Sequence, residues 1–173
     1  PEDDVDHIVL TAGGGGCAAG TVKRAVEKGS RARFHIVEAE GSNSLSKSVT
    51  AGEVTAADAP NQRYKGSAVS EVGRYALAIC LAYRDRIEFH TASDASVDDF
   101  IDHYEDSRLT AALDNRVPPY EPTSIVPMTK LADIAQRYPN KKIVVLGTGH
   151  NDDLRPPLRA KRTSRIAAGM FPK

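Results

Sequence analysis

Four consecutive glycines, Gly13 to Gly16, follow directly on a short apolar segment that contains Ile8, Val9 and Leu10. Glycine carries no side chain, so several backbone N–H groups in such a run can converge on one anion. Small residues and a helix-like segment come next, and the N-terminus of a helix attracts negative charge. The pattern therefore predicts a strand, a tight loop and a helix that together bind a phosphate group.

The composition is typical of a single globular domain. The chain has 173 residues, which is long enough to bury a sizeable core. Of these residues, 40% are apolar and 27% are charged, as is usual for globular proteins. Lysine plus arginine and aspartate plus glutamate both number 23, which argues against nucleic-acid partners and anionic membranes. No apolar run approaches the roughly 20 residues of a membrane span. The two cysteines, Cys17 and Cys80, are too few for a disulfide framework, so we expect a cytoplasmic protein.

Strand-like and helix-like segments alternate along the chain. Strands are predicted over residues 6–11, 33–39, 87–91 and 142–146, the last of which (KIVVL) has the strongest pattern. Helices are predicted over 16–28, 70–84, 94–104 and 123–138, with a shorter one inside 41–54. Residues 56–67 are polar and rich in turn formers, and no structure is predicted for them. The alternation predicts an α/β domain built around a mainly parallel sheet.

Two of the predicted strands end in loops that suit a cofactor. Ligands of a parallel sheet bind beyond the carboxyl ends of its strands, and the glycine run lies at one such end. Gly147, Thr148 and Gly149 lie at another, where the Thr148 hydroxyl can donate or accept a hydrogen bond. We therefore expect the two loops to hold opposite ends of a planar phosphorylated cofactor.

The glycine run also permits other interpretations. Gly13, Gly15 and Ala18 fit the G-x-G-x-x-A spacing of dinucleotide-binding domains, and Glu38 ends the second predicted strand, where it could hold a ribose. The chain would then be a Rossmann-type domain. A turn without a ligand is a further alternative, although four glycines have a high entropic cost there. No cluster of histidine and cysteine has the spacing of a zinc site, so no metal is predicted.

Five segments resemble the fold-type II pyridoxal-phosphate enzymes, the superfamily of tryptophan synthase β. Gly13 to Gly20 is similar to their tetraglycine phosphate loop. Val37 to Leu45 is similar to the VEPEG segment of threonine synthases and of threonine and serine dehydratases. Three later segments resemble the family's VSDEE, EPASA and TGHG motifs, namely Thr91–Asp94, Glu121–Ser124 and Val144–His150. The five segments follow one another in the order of the family.

The resemblance implies a three-layer α/β fold with helices on both faces of the sheet and pyridoxal 5'-phosphate as the cofactor. It implies that the phosphate is bound by the backbone N–H groups of Gly13, Gly14, Gly15, Gly16 and Cys17. Thr148 would place its hydroxyl against the pyridine nitrogen and leave that nitrogen largely unprotonated. This favours elimination or replacement on an amino acid substrate, in an enzyme like threonine synthase or the threonine and serine dehydratases, which form homo-oligomers.

The resemblance covers only part of such an enzyme. In the family, the lysine that forms the Schiff base lies far before the glycine loop, whereas here twelve residues precede Gly13 and none is lysine. We expect that lysine in a missing N-terminal half or on a second chain, or else the chain is a regulatory fragment without catalysis. Lys65 is a candidate substitute, although no family motif places the Schiff base there. Residues 1–152 would form the cofactor-binding domain, and residues 153–173 a basic C-terminal tail.

The sequence permits more than one role for two side chains near the predicted site. Cys17 follows the glycines at a helix N-terminus, where a thiol pKa is lowered, but we expect its side chain to pack in the interior. Glu121 precedes Pro122, and its side chain is either part of a turn or faces the site.

Overall fold

A computed structural model describes residues 5–60, 62–110 and 120–149 of the chain. Its strands are β1 (His7–Thr11), β2 (Arg33–Ala39), β3 (Ile87–Ala92) and β4 (Ile143–Val145). They form one sheet in the order β3-β2-β1-β4, and every pairing is parallel, as predicted. His150 and the predicted basic tail, residues 153–173, lie outside the described residues.

Helices link and cover these strands. They are α1 (Gly16–Glu27), α2 (Ser44–Ala51), α3 (Arg74–Ala82), α4 (Asp94–Thr110), α5 (Pro122–Ile125) and α6 (Leu131–Arg137). Short 3-10 helices occupy Gln62–Tyr64, Arg84–Arg86 and Val126–Lys130. In the described ranges, no helix is both long enough and apolar enough to cross a membrane.

One face of the sheet packs against α1, α2 and α3. Helix α1 presents Ala18 and Val22 to the sheet because apolar residues recur at helical spacing along it. The helix ends at Glu27 with Lys28 as its C-cap, and Gly29 follows with a φ of 77°, the left-handed conformation that often terminates a helix. Alternate residues of the strands point into this layer, and among them Leu10 and Ile36 are fully buried.

The opposite face packs against α4, α5, α6 and the 3-10 helix between the last two. Val9 and Val37 lie on this face, since they alternate with the residues of the first core. They contact buried side chains of the covering helices, among them Val97, Ile101 and Ile134. Each such side chain contributes about 1.5–3 kcal/mol by leaving water. Helices on both faces give the three-layer α/β architecture that the resemblance implies.

The structure corrects the prediction in the C-terminal third. The helix predicted over 123–138 is divided into α5, a 3-10 segment and α6, because Pro127 has no N–H to donate and interrupts the α-helical ladder. The segment predicted as the strongest strand, 142–146, is the three-residue β4 at one end of the described sheet. Its Val144 is 39% exposed, although a continuous apolar run indicates burial on both faces.

Candidate functional site

The glycine run and the Thr148 loop leave the same edge of the sheet from adjacent strands. Strands β1 and β4 pair in parallel with Val9 opposite Val145, and the Leu146 N–H donates to the Val9 carbonyl oxygen at 2.9 Å. Neighbouring strands of a sheet lie about 4.8 Å apart. The fold therefore brings together the two loops that the sequence analysis places at the two ends of a cofactor.

Helix α1 begins at this edge with unsatisfied backbone donors. Its N-cap is Gly15, whose φ of 79° lies in the left-handed region that favours glycine. Within the described residues, no side chain caps this terminus, and its first turn contains no acidic residue. The first N–H groups of a helix have no partner inside the helix, and both Gly16 and Cys17 are exposed. Their N–H groups are therefore available to an anion.

The four glycines divide into two that are closely packed and two that face open space. A Cβ atom on Gly13 would lie 2.6 Å from the Gly66 carbonyl oxygen, and one on Gly15 would lie 2.8 Å from the Ala76 Cβ atom. A Cβ atom on Gly14 or Gly16 would meet no described atom within 4 Å. The loop thus combines a fixed backbone with an open side, which fits the phosphate of a cofactor.

Residues 62–73 support the glycine run from the side. The Gly73 N–H donates to the Gly14 carbonyl oxygen at 3.1 Å, and the Gly66 backbone packs on Gly13. Ser67 is buried and donates its N–H to the Tyr64 carbonyl oxygen at 2.8 Å. Sequence reasoning missed this part of the site, for which the two glycines are the only local signal. Lys65 is exposed and adjoins Gly66.

Residues 121–124 hold the Thr148 loop in place. The Gly149 N–H donates to Ser124 Oγ at 2.9 Å, and the Ser124 hydroxyl lies 3.0 Å from the Gly149 carbonyl oxygen. Thr123 Oγ1 accepts the Gly66 N–H at 3.2 Å, which joins this segment to the support of the glycine run. Thr148 itself, between these anchors, is exposed. The two loops are therefore linked by one continuous set of contacts.

The structure shows where the side chains of Glu121 and Cys17 lie. A Cβ atom on Gly149 would lie 2.9 Å from Glu121 Oε1, so the Glu121 carboxylate faces the Thr148 loop. The expectation that Cys17 packs in the interior is wrong, because its side chain is exposed. Cys17 stands at the start of α1, beside Ala18 and Ala19, which take the buried positions of that turn.

Glu38 is buried, with 1% of its surface exposed, and its carboxylate caps helix α2. Oε1 accepts the Leu45 N–H at 2.9 Å, and Oε2 accepts the Ser46 N–H at 3.1 Å. Burial raises the pKa of Glu38, and these hydrogen bonds to the charged form oppose the rise. Both carboxylate oxygens accept hydrogen bonds from α2. Glu38 is therefore not free to bind a ribose, as the dinucleotide interpretation requires.

Comparison with known families and proteins agrees with this geometry. The family model described as "Pyridoxal-phosphate dependent enzyme" matches residues 2–149. The L-threonine dehydratase biosynthetic IlvA of Mycobacterium tuberculosis (strain ATCC 25618 / H37Rv) is 27% identical over 154 residues, which are 88% of this chain and 34% of that protein. The protein of the same name from Mycobacterium leprae is 27% identical over 86% of this chain and 33% of its own length. The chain thus spans about a third of the curated relatives it matches.

Solved structures with the same fold include a serine ammonia-lyase and a threonine deaminase. The fungal L-serine ammonia-lyase from Rhizomucor miehei has a TM-score of 0.74 at 24% identity, over 94% of this chain and 50% of that one. The processed form of threonine deaminase isoform 2 from Solanum lycopersicum has a TM-score of 0.74 at 20% identity, over 95% of this chain and 43% of that one. At such identities the likeness establishes the fold alone.

Proposed function

The chain belongs to the family of pyridoxal-phosphate dependent enzymes, and we propose that it supplies the phosphate- and pyridine-binding part of a threonine or serine dehydratase-like enzyme. The reaction would be an elimination or replacement on an amino acid. The observation that carries the proposal is the uncapped N-terminus of α1 at the same sheet edge as Thr148. The names of the curated relatives favour the dehydratase branch over threonine synthase.

We assign the cofactor phosphate to the start of α1. The groups that would bind it are the backbone N–H groups of Gly13, Gly14, Gly15, Gly16 and Cys17. A helix N-terminus carries the equivalent of about half a positive charge, which adds to the hydrogen bonds from these groups. The open space beside Gly14 and Gly16 supports this assignment, because side chains there would occupy the position of the phosphate oxygens.

We assign the pyridine nitrogen to the Thr148 hydroxyl. Its neighbour Gly149 is tied to Ser124, which limits the movement of the hydroxyl relative to β4. A neutral hydroxyl donates a hydrogen bond to the nitrogen without protonating it. When bound, pyridoxal phosphate supplies the electron sink for carbanion chemistry. The contribution of this chain is to fix the orientation of the ring and the charge at its two ends.

The Schiff-base lysine is proposed to come from a segment outside this chain or from a second chain. The chain spans 50% of the Rhizomucor miehei structure, so a relative of that size has a further half to contribute. Lys65 is the candidate within the chain, since it is exposed beside Gly66. We further propose that the protein is cytoplasmic, with which the free thiols of Cys17 and Cys80 are consistent. From the family resemblance we also propose a homodimer.

An aspartate at Gly16 tests the phosphate assignment without disturbing the fold. Position 16 has free space, and an acidic residue in the first turn stabilises a helix. The same charge would repel a phosphate, so we expect Gly16→Asp to weaken binding of pyridoxal phosphate about tenfold or more, or 1.4 kcal/mol. Gly20→Asp is the matched control, since Gly20 also faces open space but lies one turn further along α1.

Binding is measured by calorimetric titration of the purified protein with pyridoxal phosphate, with inorganic phosphate as a competitor. Equal affinities in the two aspartate variants would contradict the phosphate assignment. Release of ammonia from L-threonine or L-serine then tests the reaction. When the segment that carries the Schiff-base lysine is present, a protein that binds the cofactor and releases no ammonia from either amino acid would support the regulatory-fragment alternative.

A further inference from the structure

A polar cluster crosses the sheet in the half opposite to the glycine run. It consists of His7 on β1, His35 on β2, and Glu88 and His90 on β3. The strand register places His35 opposite Glu88, and side chains two residues apart on a strand share a face. All four side chains therefore lie on the face covered by α4, α5 and α6. The candidate cofactor site uses none of them.

Three members of the cluster present ligand atoms to one point. His35 Nδ1 lies 3.0 Å from His90 Nε2 and 3.7 Å from Glu88 Oε2, and one ligand atom from each residue lies within 4.8 Å of the others. Zinc binds histidine nitrogen and carboxylate oxygen at about 2.0–2.2 Å, so two ligands of a tetrahedral ion lie about 3.3 Å apart. The observed separations of His35 Nδ1 from His90 Nε2 and from Glu88 Oε2, 3.0 and 3.7 Å, lie on either side of this value.

His7 fixes the orientation of His35. The His7 Nδ1 atom lies 2.8 Å from His35 Nε2, so a proton on His35 Nε2 can be donated to His7. His35 then keeps a lone pair on Nδ1, which is directed towards His90 and Glu88. Burial lowers the pKa of His35 to about 4 and also lowers the pKa values of His7 and His90.

Glu88 supplies a negative charge to the cluster. Burial alone would raise its pKa, but the Tyr138 hydroxyl together with His35, Arg137 and Arg33 lowers the pKa overall. Tyr138 donates to Oε1 at 2.7 Å, and Arg137 donates to Oε2 at 2.9 Å. The Arg137 side chain is 62% exposed, so it can turn into solvent when an ion takes Oε2.

A cavity of about 150 Å³ reaches one member of the cluster, His90. It is lined by His90, Thr91, Lys130, Asp133, Ile134 and Arg137. Because the Asp133 and Arg137 side chains are largely exposed, this cavity adjoins the surface. It offers an entry path and room for water as a fourth ligand beside His90.

We propose that His35, Glu88 and His90 bind a divalent transition-metal ion, with Zn²⁺ as the ion that the ligand set matches. Two imidazole nitrogens, one carboxylate and an open position form a ligand set that zinc accepts. His7 acts as a positioning residue through His35. Because the ligands come from both β2 and β3, the ion links neighbouring strands and stabilises the folded state.

The proposal is tested by titrating purified, chelator-treated protein with Zn²⁺ in a calorimeter. We expect one ion per chain, a higher unfolding temperature with zinc, and at least about tenfold weaker binding in Glu88→Gln and His90→Gln, since each lacks one ligand. His103→Gln is the control, because His103 lies on the surface of α4 and its side chain is 78% exposed. Circular dichroism checks that each variant is folded.

Two further measurements separate a site from non-specific binding. Arg137→Ala is expected to bind Zn²⁺ more tightly, because the competing guanidinium is removed from Glu88. Substitution with Co²⁺ reports the ligands, since nitrogen ligands in a four-coordinate site change the visible spectrum of the hydrated ion. Zinc binding by His90→Gln that equals that of His103→Gln, or a cobalt spectrum of the hydrated ion in the unmodified protein, would overturn the proposal.

Discussion

Gly13 packs so closely against Gly66 that a Cβ atom on Gly13 would lie 2.6 Å from the Gly66 carbonyl oxygen. The Gly14 carbonyl oxygen, next to this contact, accepts the Gly73 N–H at 3.1 Å. The glycine run is therefore constrained by packing against a segment distant in sequence, in addition to the phosphate-binding role that we propose for it. Only Gly13 and Gly15 are closely packed, whereas Gly14 and Gly16 face open space, so substitutions at the two pairs test packing and phosphate binding separately.

Gly13→Ala is expected to destabilise the fold. The new Cβ atom would also lie 2.9 Å from the Ser67 Cα atom, so backbone must move to admit it. Overpacking of this kind costs about 1–3 kcal/mol of unfolding free energy, which urea denaturation measures. Gly20→Ala is the control, because Gly20 faces open space within α1 and alanine there should stabilise by about 0.5–1 kcal/mol. A Gly13→Ala protein as stable as the control would contradict the packing role.

Glu38→Gln is expected to weaken the N-terminus of α2. The carboxylate accepts two backbone N–H groups, whereas a glutamine has one acceptor oxygen and turns an NH₂ group towards the other donor. A buried donor left without an acceptor costs about 1–3 kcal/mol. Glu40→Gln, at an exposed position two residues later, serves as the control. Unchanged hydrogen-exchange protection of Leu45 and Ser46 in Glu38→Gln would be inconsistent with this cap.

Thr148 should matter for the cofactor and not for stability, because it is exposed in the described structure. We expect Thr148→Val to reduce the affinity for pyridoxal phosphate by about 0.5–1.5 kcal/mol, the usual net value of one hydrogen bond. Thr148→Ser keeps the hydroxyl and should bind as the unmodified protein does. Calorimetric titration of both variants measures the difference. If valine and serine bind equally well, the pyridine nitrogen has another partner.

The sequence predicts the layers of this fold well because the signals are local. Apolar spacing in α1 and β-branched residues in β2 each depend on a few neighbouring residues. The glycine run and Thr148 reach one sheet edge because the carboxyl ends of parallel strands meet there. The contact of Gly66 with Gly13 depends instead on how a polar stretch folds back, which no periodic pattern encodes.

The histidine cluster shows a second limit of sequence reasoning. A search for metal-ligand spacing predicts no site, because His7, His35 and His90 are far apart along the chain. They come together through the order and register of β1, β2 and β3. Only the Glu88 and His90 pair has a local signal, an i, i+2 spacing on one strand. To predict the cluster, one would need the pairing register of these strands, because a shift of one residue moves a side chain to the other face of the sheet.

The two cysteines are expected to react with thiol reagents at very different rates. Cys17 is exposed at the start of α1, whereas Cys80 is buried in the first core, where burial raises its thiol pKa to about 11. Since the thiolate is the reactive form, Cys80 should react only when the protein unfolds. A chromogenic disulfide reagent should therefore detect one rapid thiol in the native protein and none in Cys17→Ser.

The same reaction also reports on the phosphate site. The Cys17 N–H belongs to the proposed phosphate-binding group, so bound pyridoxal phosphate should slow modification of the Cys17 thiol by covering the start of α1. Gly16→Asp should raise the concentration of pyridoxal phosphate needed for this protection about tenfold or more, because it weakens cofactor binding, while Gly20→Asp should leave that concentration unchanged. A rate for Cys17 that pyridoxal phosphate leaves unchanged at saturation would show that the cofactor lies elsewhere, even if calorimetry detects its binding.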